Sequence, residues 1–126
     1  MPEYLFAYGT LQPGLAPSEI APVVDKLRPL GEGFVGGRLY DLGNYPGAVI
    51  DRGSALRIYG TVYELSDDAE ILRRLDAYEG PEYRRIGEQV TLVAGGAWTC
   101  WVYEYLGKPS EDRLIESGRW SERGRS

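Results

Sequence analysis

Residues 6–14 read FAYGTLQPG, and the triplet Tyr8-Gly9-Thr10 within them returns as Tyr59-Gly60-Thr61 in RIYGTVYEL, residues 57–65. The two copies sit in different surroundings, and that difference sets the reading of the chain. The second lies inside a segment, residues 55–65, in which Leu56, Ile58 and Gly60 alternate with Arg57, Tyr59 and Thr61. Alternation of period two marks a strand with two unlike faces. A glycine in mid-strand marks close packing or a bulge. The first copy ends a short, wholly apolar and aromatic run, YLFAY at residues 4–8, that reads as a buried strand. It then passes into Leu11-Gln12-Pro13-Gly14. A glycine at a strand end lets successive backbone N–H groups converge, and such a nest binds anions, carboxylates included. The flanks do not match, so the triplets are not a repeat. The first copy is the candidate site and the second is architecture.

Working outward, residues 11–33 hold four prolines and three glycines and read as loop with one short helix near 19–27. Residues 34–41 (FVGGRLYD) read as a strand kinked or bulged at its glycine pair. Asn44-Tyr45-Pro46-Gly47 is a turn, and Ala48-Val49-Ile50 a short strand behind it. The clearest helix starts at Ser66, a good N-cap, with Asp67 and Asp68 complementing the dipole. Leu72, Leu75 and Tyr78 keep helical spacing, and Gly80-Pro81 stops it. Residues 83–94 and 97–106 are two long strands joined at Gly95-Gly96. The segment SEDRLIESGRW adds a helical turn. Many short strands and one main helix predict an α+β chain, a small mixed β-barrel whose closure hides its strand edges. With 126 residues it is expected to be a single domain over 1–120, followed by a polar tail at 121–126.

Composition narrows the chemistry. The chain has no histidine and one cysteine, Cys100. Ser-His-Asp and Cys-His sites, Cys/His zinc sites and an internal disulfide are therefore impossible within it. Acid-base work falls to Glu, Asp, Lys, Tyr or the backbone. A net charge of −5 with no basic run argues against nucleic acid as a partner. No apolar run approaches the ~20 residues that span a membrane, and the N-terminus lacks a secretory pattern, so the expected location is cytoplasmic.

One carboxylate is on the wrong face. At about 100° per residue, Glu79 lies within roughly 20° of Leu72 and 40° of Leu75, on the apolar stripe. It also sits where the helix dipole disfavours negative charge. Both effects raise a carboxyl pKa toward a useful acid-base value. The plainer alternative is a frayed helix end with Glu79 in water. Asp76 reads as solvated or structural. Glu82, Glu88 and Glu104 read as ordinary strand-face acids, and Cys100 as a small buried hydrophobe. Among ten tyrosines, Tyr8, Tyr45 and Tyr103 are candidates to line a cavity, each with packing as its alternative role.

Taken in order, FAYGTL, NYPGAV, IYGTVYEL, LRRLDAYEGPEYRR, CWVYEY and IESGRW make the chain resemble the gamma-glutamyl cyclotransferase-like family, its gamma-glutamylamine branch included. The resemblance spans most of the chain. It implies a small barrel with a cavity at one end and a small-molecule gamma-glutamyl substrate. The substrate's own alpha-amino group attacks its side-chain amide, releasing 5-oxoproline and an amine. It implies that the turn Tyr8, Gly9, Thr10 and Leu11 holds the substrate alpha-carboxylate. Glu79 is the implied catalytic acid-base, with Tyr45 and Tyr103 lining the pocket. Arg85, in the pattern Tyr83-x-Arg85, either is structural or orients Glu79. No cofactor or metal is called for, and nothing fixes the oligomeric state. The competing expectation is a non-catalytic module that binds a small carboxylate or a partner through the same cavity.

Overall fold

In the computed structural model, residues 3–122 are described, apart from Pro13, Asp67 and Asp68. Seven strands form in the order β1 (Glu3–Ala7), β2 (Arg28–Asp41), β3 (Pro46–Ile50), β4 (Arg57–Leu65), β5 (Tyr83–Leu92), β6 (Ala97–Tyr105) and β7 (Leu114–Ile115). Helix α1 (Ala21–Val24) precedes β2 and helix α2 (Ala69–Glu79) precedes β5. The strand path β2-β4-β1-β6-β5 closes on itself where Gly33 and Phe34 of β2 pair with Leu92 and Thr91 of β5. Closure makes a five-stranded barrel with no free edge along that path. One contact in it is parallel, β1 to β6, and the rest are antiparallel.

β1 explains its own composition. Leu5 and Ala7 pack outward beneath the helices, while Phe6 and Tyr8 point into the barrel with Ile58, Val62, Val90 and Val102. A strand buried on both faces must be apolar throughout. The outer cluster is closed by Val23, Val24 and Leu27 near α1, and by Ile71 and Leu75 of α2. In β4, Ile58, Gly60 and Val62 face inward as the alternation requires. Beyond them Tyr63 and Leu65 are buried on the other face, under the helices.

β2 departs from the sequence reading. It begins at Arg28, six residues before the expected start, inside the segment read as loop. Pro29, Gly31 and Gly33 masked the pattern, and the register shift against β4 falls between Pro29 and Gly31. The Gly36-Gly37 pair is instead the handover at which β2 leaves β4 and takes up β3. The turn between β2 and β3 also moves: Leu42 N–H bonds the Tyr45 carbonyl at 3.0 Å, so Pro46 and Gly47 already belong to β3. The Gly95-Gly96 hairpin joins β5 to β6. After β6, Ser110 caps a single 3-10 turn at Glu111–Arg113. The helix-start residues Asp67 and Asp68 and most of the polar tail lie outside the described residues. No helix among the described residues is long and apolar enough to cross a membrane.

Candidate functional site

Two punctuation marks in the chain build one cavity. The first is the exit of β1. Gln12 N–H bonds the Gly9 carbonyl at 3.1 Å, and the Gln12 side-chain amide donates to the Tyr8 and Gly9 carbonyls at 3.1 and 3.2 Å. The Leu11 carbonyl accepts the Tyr63 hydroxyl at 2.9 Å. The Tyr8, Gly9 and Leu11 carbonyls are thus occupied. The N–H groups of Gly9, Thr10 and Leu11 donate to no partner among the described residues. Three such donors in succession leave partial positive charge at the β1 exit. Gly9 is required by packing too, since a Cβ there would meet the Pro46 ring at 2.5–3.0 Å.

The second mark is the end of α2. Gly80 takes φ +80°, which glycine adopts without steric cost, and its N–H bonds the Asp76 carbonyl at 3.0 Å. The helix therefore does not fray, and Glu79, its last residue, stays on the stripe that faces the barrel mouth.

Between these ends lies a cavity of about 280 Å³. Tyr8, Gly9, Thr10 and Leu11 line it from the β1 exit, and Tyr45 and Pro46 from the start of β3. Tyr78 and Glu79 line it from α2, and Tyr103 from β6. All seven site residues anticipated from sequence therefore line one cavity. Phe6, Tyr78, Glu82 and Tyr83 line it as well. The sequence marks Tyr78 only as part of a helical stripe, and Glu82 as an ordinary strand-face acid. No periodicity distinguishes a cavity-facing side chain from a packed or solvated one.

The polar groups of the wall divide sharply. Tyr8 donates its hydroxyl to the Tyr103 carbonyl, Tyr103 donates to Asp76 Oδ1 at 2.6 Å, and Tyr83 donates to the Pro46 carbonyl at 2.6 Å. Thr10 Oγ1 and the Tyr78 hydroxyl pair at 3.2 Å. Burial, then the nearby Glu79 charge, push the Tyr8 hydroxyl well above its usual pKa. Burial likewise raises Tyr83 and Tyr103, so these phenols remain neutral and fixed. The Glu79 carboxylate is the exception. It has no hydrogen bond or ion pair among the described residues, and loss of solvent pushes its pKa up to about 7. A carboxyl at that value gives and takes protons near neutrality.

Asp76 has the opposite fate. Arg85 Nε and an Nη donate to its two oxygens at 2.8 and 3.3 Å, and the guanidinium stacks over Trp101 at 4.4 Å. Asp76 is thus a structural anchor, and Arg85 pairs with it and not with Glu79. Two further acids lie on strands, as read from the sequence, and are more buried than their residue type suggests. Glu88 is only 8% exposed, and Glu104, 17% exposed at its side chain, accepts the Ile50 N–H at 3.0 Å. Cys100 is buried, and desolvation raises its thiol to about 12, so it is unreactive packing. No group of three or more potential metal ligands occurs among the described residues.

Comparison with known proteins adds an independent line. Residues 5–122 match the family model described as gamma-glutamyl cyclotransferase, AIG2-like. The chain is 38% identical over 88 residues to the gamma-glutamylcyclotransferase family protein YtfP of Escherichia coli, covering 68% of this chain and 69% of that one. It is also 38% identical over 87 residues to a putative gamma-glutamylcyclotransferase of Vibrio cholerae, covering 68% and 67%. Among solved structures, the mouse AIG2-like protein superposes with TM-score 0.79 at 24% identity, covering 98% of this chain and 91% of that one. An uncharacterized protein of Pyrococcus horikoshii does so with TM-score 0.71 at 27% identity, covering 95% and 91%.

Proposed function

The chain belongs to the gamma-glutamyl cyclotransferase, AIG2-like family, and from that premise we propose that it converts a gamma-glutamyl amine or amino acid into 5-oxoproline and the free amine. The observation that carries the proposal is the pairing of a desolvated, unpartnered Glu79 with a turn of unpaired N–H groups in one cavity.

The chemistry asks for those two features. The N–H groups of Gly9, Thr10 and Leu11 hold the substrate alpha-carboxylate, fixing one end of the glutamyl chain. Folding the chain in the cavity brings the alpha-amino nitrogen onto the side-chain amide carbonyl. Intramolecular closure of this kind gains most from orientation alone. The new C–N bond closes a five-membered ring, and Glu79 takes the proton released by the attacking nitrogen. Glu79 then delivers that proton to the departing nitrogen as the original amide bond breaks. The nucleophile belongs to the substrate, so the absence of histidine and of a reactive cysteine costs nothing. Tyr45, Tyr103 and the other phenols shape an apolar wall with few competing polar groups.

The test is release of 5-oxoproline, followed by mass spectrometry, from gamma-glutamyl dipeptides, gamma-glutamyl amines and the epsilon-lysine isopeptide, with Glu79→Gln as control. Release by the wild type and loss in the variant support the reaction and its proton carrier. Equal release by both would remove Glu79 from the mechanism. No release from any compound, with binding retained, would leave the cavity as a carboxylate-binding module.

A further inference from the structure

The cavity has a charged rim that the reaction above does not use. Its inner wall is made by Phe6, Tyr8, Leu11 and Tyr103, all buried. Its exposed lining residues are Tyr45, 39% exposed, and Glu82. The mouth is therefore at Tyr45 and Glu82. A volume of about 280 Å³ is small for a ligand pocket. A glutamyl group bound at the inner turn must send its leaving group out past those two residues.

What that group meets is one-sided. Among the described residues, none lining the cavity is Lys or Arg. The two arginines that follow Glu82 on β5 are engaged elsewhere, Arg84 with Glu104 and Arg85 with Asp76. Glu82 has no ion pair among the described residues, and its one neutral partner is the Tyr45 hydroxyl at 3.3 Å. Beside it, Tyr45 and Tyr83 stand edge to face at 6.4 Å, and the Tyr83 ring is fixed by its bond to the Pro46 carbonyl. An uncompensated carboxylate next to tyrosine rings attracts an ammonium ion and repels a carboxylate. Glu82 follows Glu79 by three residues, at most about 10 Å of backbone. Both line the same cavity, so a leaving group with one nitrogen at Glu79 extends out past Glu82.

We infer that Glu82 selects the leaving group by charge, so that this cavity takes gamma-glutamyl amides of amines carrying a second, cationic nitrogen. The inference rests on the cyclotransferase reading for its leaving group, but the rim charge is a property of the cavity itself.

Three probes of matched length separate the two. They are the gamma-glutamyl amides of 1,4-diaminobutane, n-pentylamine and 5-aminopentanoate, which end in ammonium, methyl and carboxylate. Wild-type kcat/KM is expected to fall in that order, with about tenfold between ammonium and methyl. Added salt should narrow the gap. Glu82→Gln should collapse it, and Glu82→Lys should turn the order toward the carboxylate probe. Calorimetric binding of the same probes to Glu79→Gln reads selection without turnover, and the ammonium probe should again bind best. No turnover of any probe, with that binding order intact, would overturn the reaction and uphold the selection. Equal handling of ammonium and methyl in both experiments, or a gap unchanged by Glu82→Gln, would overturn the selection.

Discussion

Asp76 and Glu79 are two carboxylates within the last turn of α2, and the barrel treats them oppositely. Asp76 accepts the Tyr103 hydroxyl and both arms of Arg85, which ties the helix end to β5 and β6. Glu79 faces the cavity with no hydrogen bond or ion pair among the described residues, and burial raises its pKa to about 7. The contrast shows how a small barrel makes a reactive group. Anchoring one carboxylate holds the helix end rigid, so that the other can be kept in a site it would otherwise leave. A desolvated carboxylate opposes stability, and it persists only where the surrounding structure determines its place.

Breaking the unpartnered side should have the largest effect. Glu79→Gln is expected to lower 5-oxoproline release by about 10²- to 10⁴-fold, the usual range for loss of a positioned acid-base group. In the wild type, kcat/KM should rise with pH to a plateau above about 7, as Glu79 ionises, and this limb should vanish in the variant.

The same substitution should raise stability. In the unfolded chain Glu79 ionises near 4.5, but in the folded protein it does so near 7. The folded state therefore holds a proton that the unfolded state has lost, and stability falls as pH rises between these values. Glu79→Gln removes that loss. It should match the wild type in chemical denaturation at pH 4 and exceed it at pH 8 by about 3 kcal/mol.

Breaking the anchored side should cost stability instead. Asp76→Asn leaves Arg85 with one weak acceptor. A loss of about 1–2 kcal/mol is expected, kept small because the Asp76 side chain is partly exposed. Activity should fall about tenfold through misplacement of Glu79, with kcat affected more than KM. Arg85→Lys is the mildest change. It keeps the charge but loses the fork and the stacking on Trp101, for about 0.5–1 kcal/mol by thermal or urea unfolding.

Much of the architecture was legible because burial leaves a period. The apolar run of β1, the alternation in β4 and the stripe of α2 each state which faces are covered. The early half of β2 was not, because Pro29, Gly31 and Gly33 carry turn chemistry and a register shift falls between Pro29 and Gly31. The two Tyr-Gly-Thr copies are not a repeat, yet they are in contact. A Cβ on Gly60 would run into the Ala7 carbonyl and the Tyr8 backbone, so the second glycine makes room for the strand end that carries the first copy. No local pattern announces such a pairing between β4 and β1. Helix geometry put Glu79 on the apolar stripe, and the stop at Gly80 holds it there. The partners of Asp76 come from β5 and β6, and the rim position of Glu82 depends on where β3 ends up. Both are long-range facts that residue types near those positions do not encode.

The most direct measurement is the titration of Glu79 itself, by carbon-13 NMR of side-chain carboxyls in glutamate-labelled protein, assigned by comparison with Glu79→Gln. A midpoint near 7 is expected, the value of a desolvated carboxyl able to carry a proton between two nitrogens. A midpoint near the ordinary value of 4.5 would mean that Glu79 is solvated. The acid-base role and the contrast with Asp76 would then both fail.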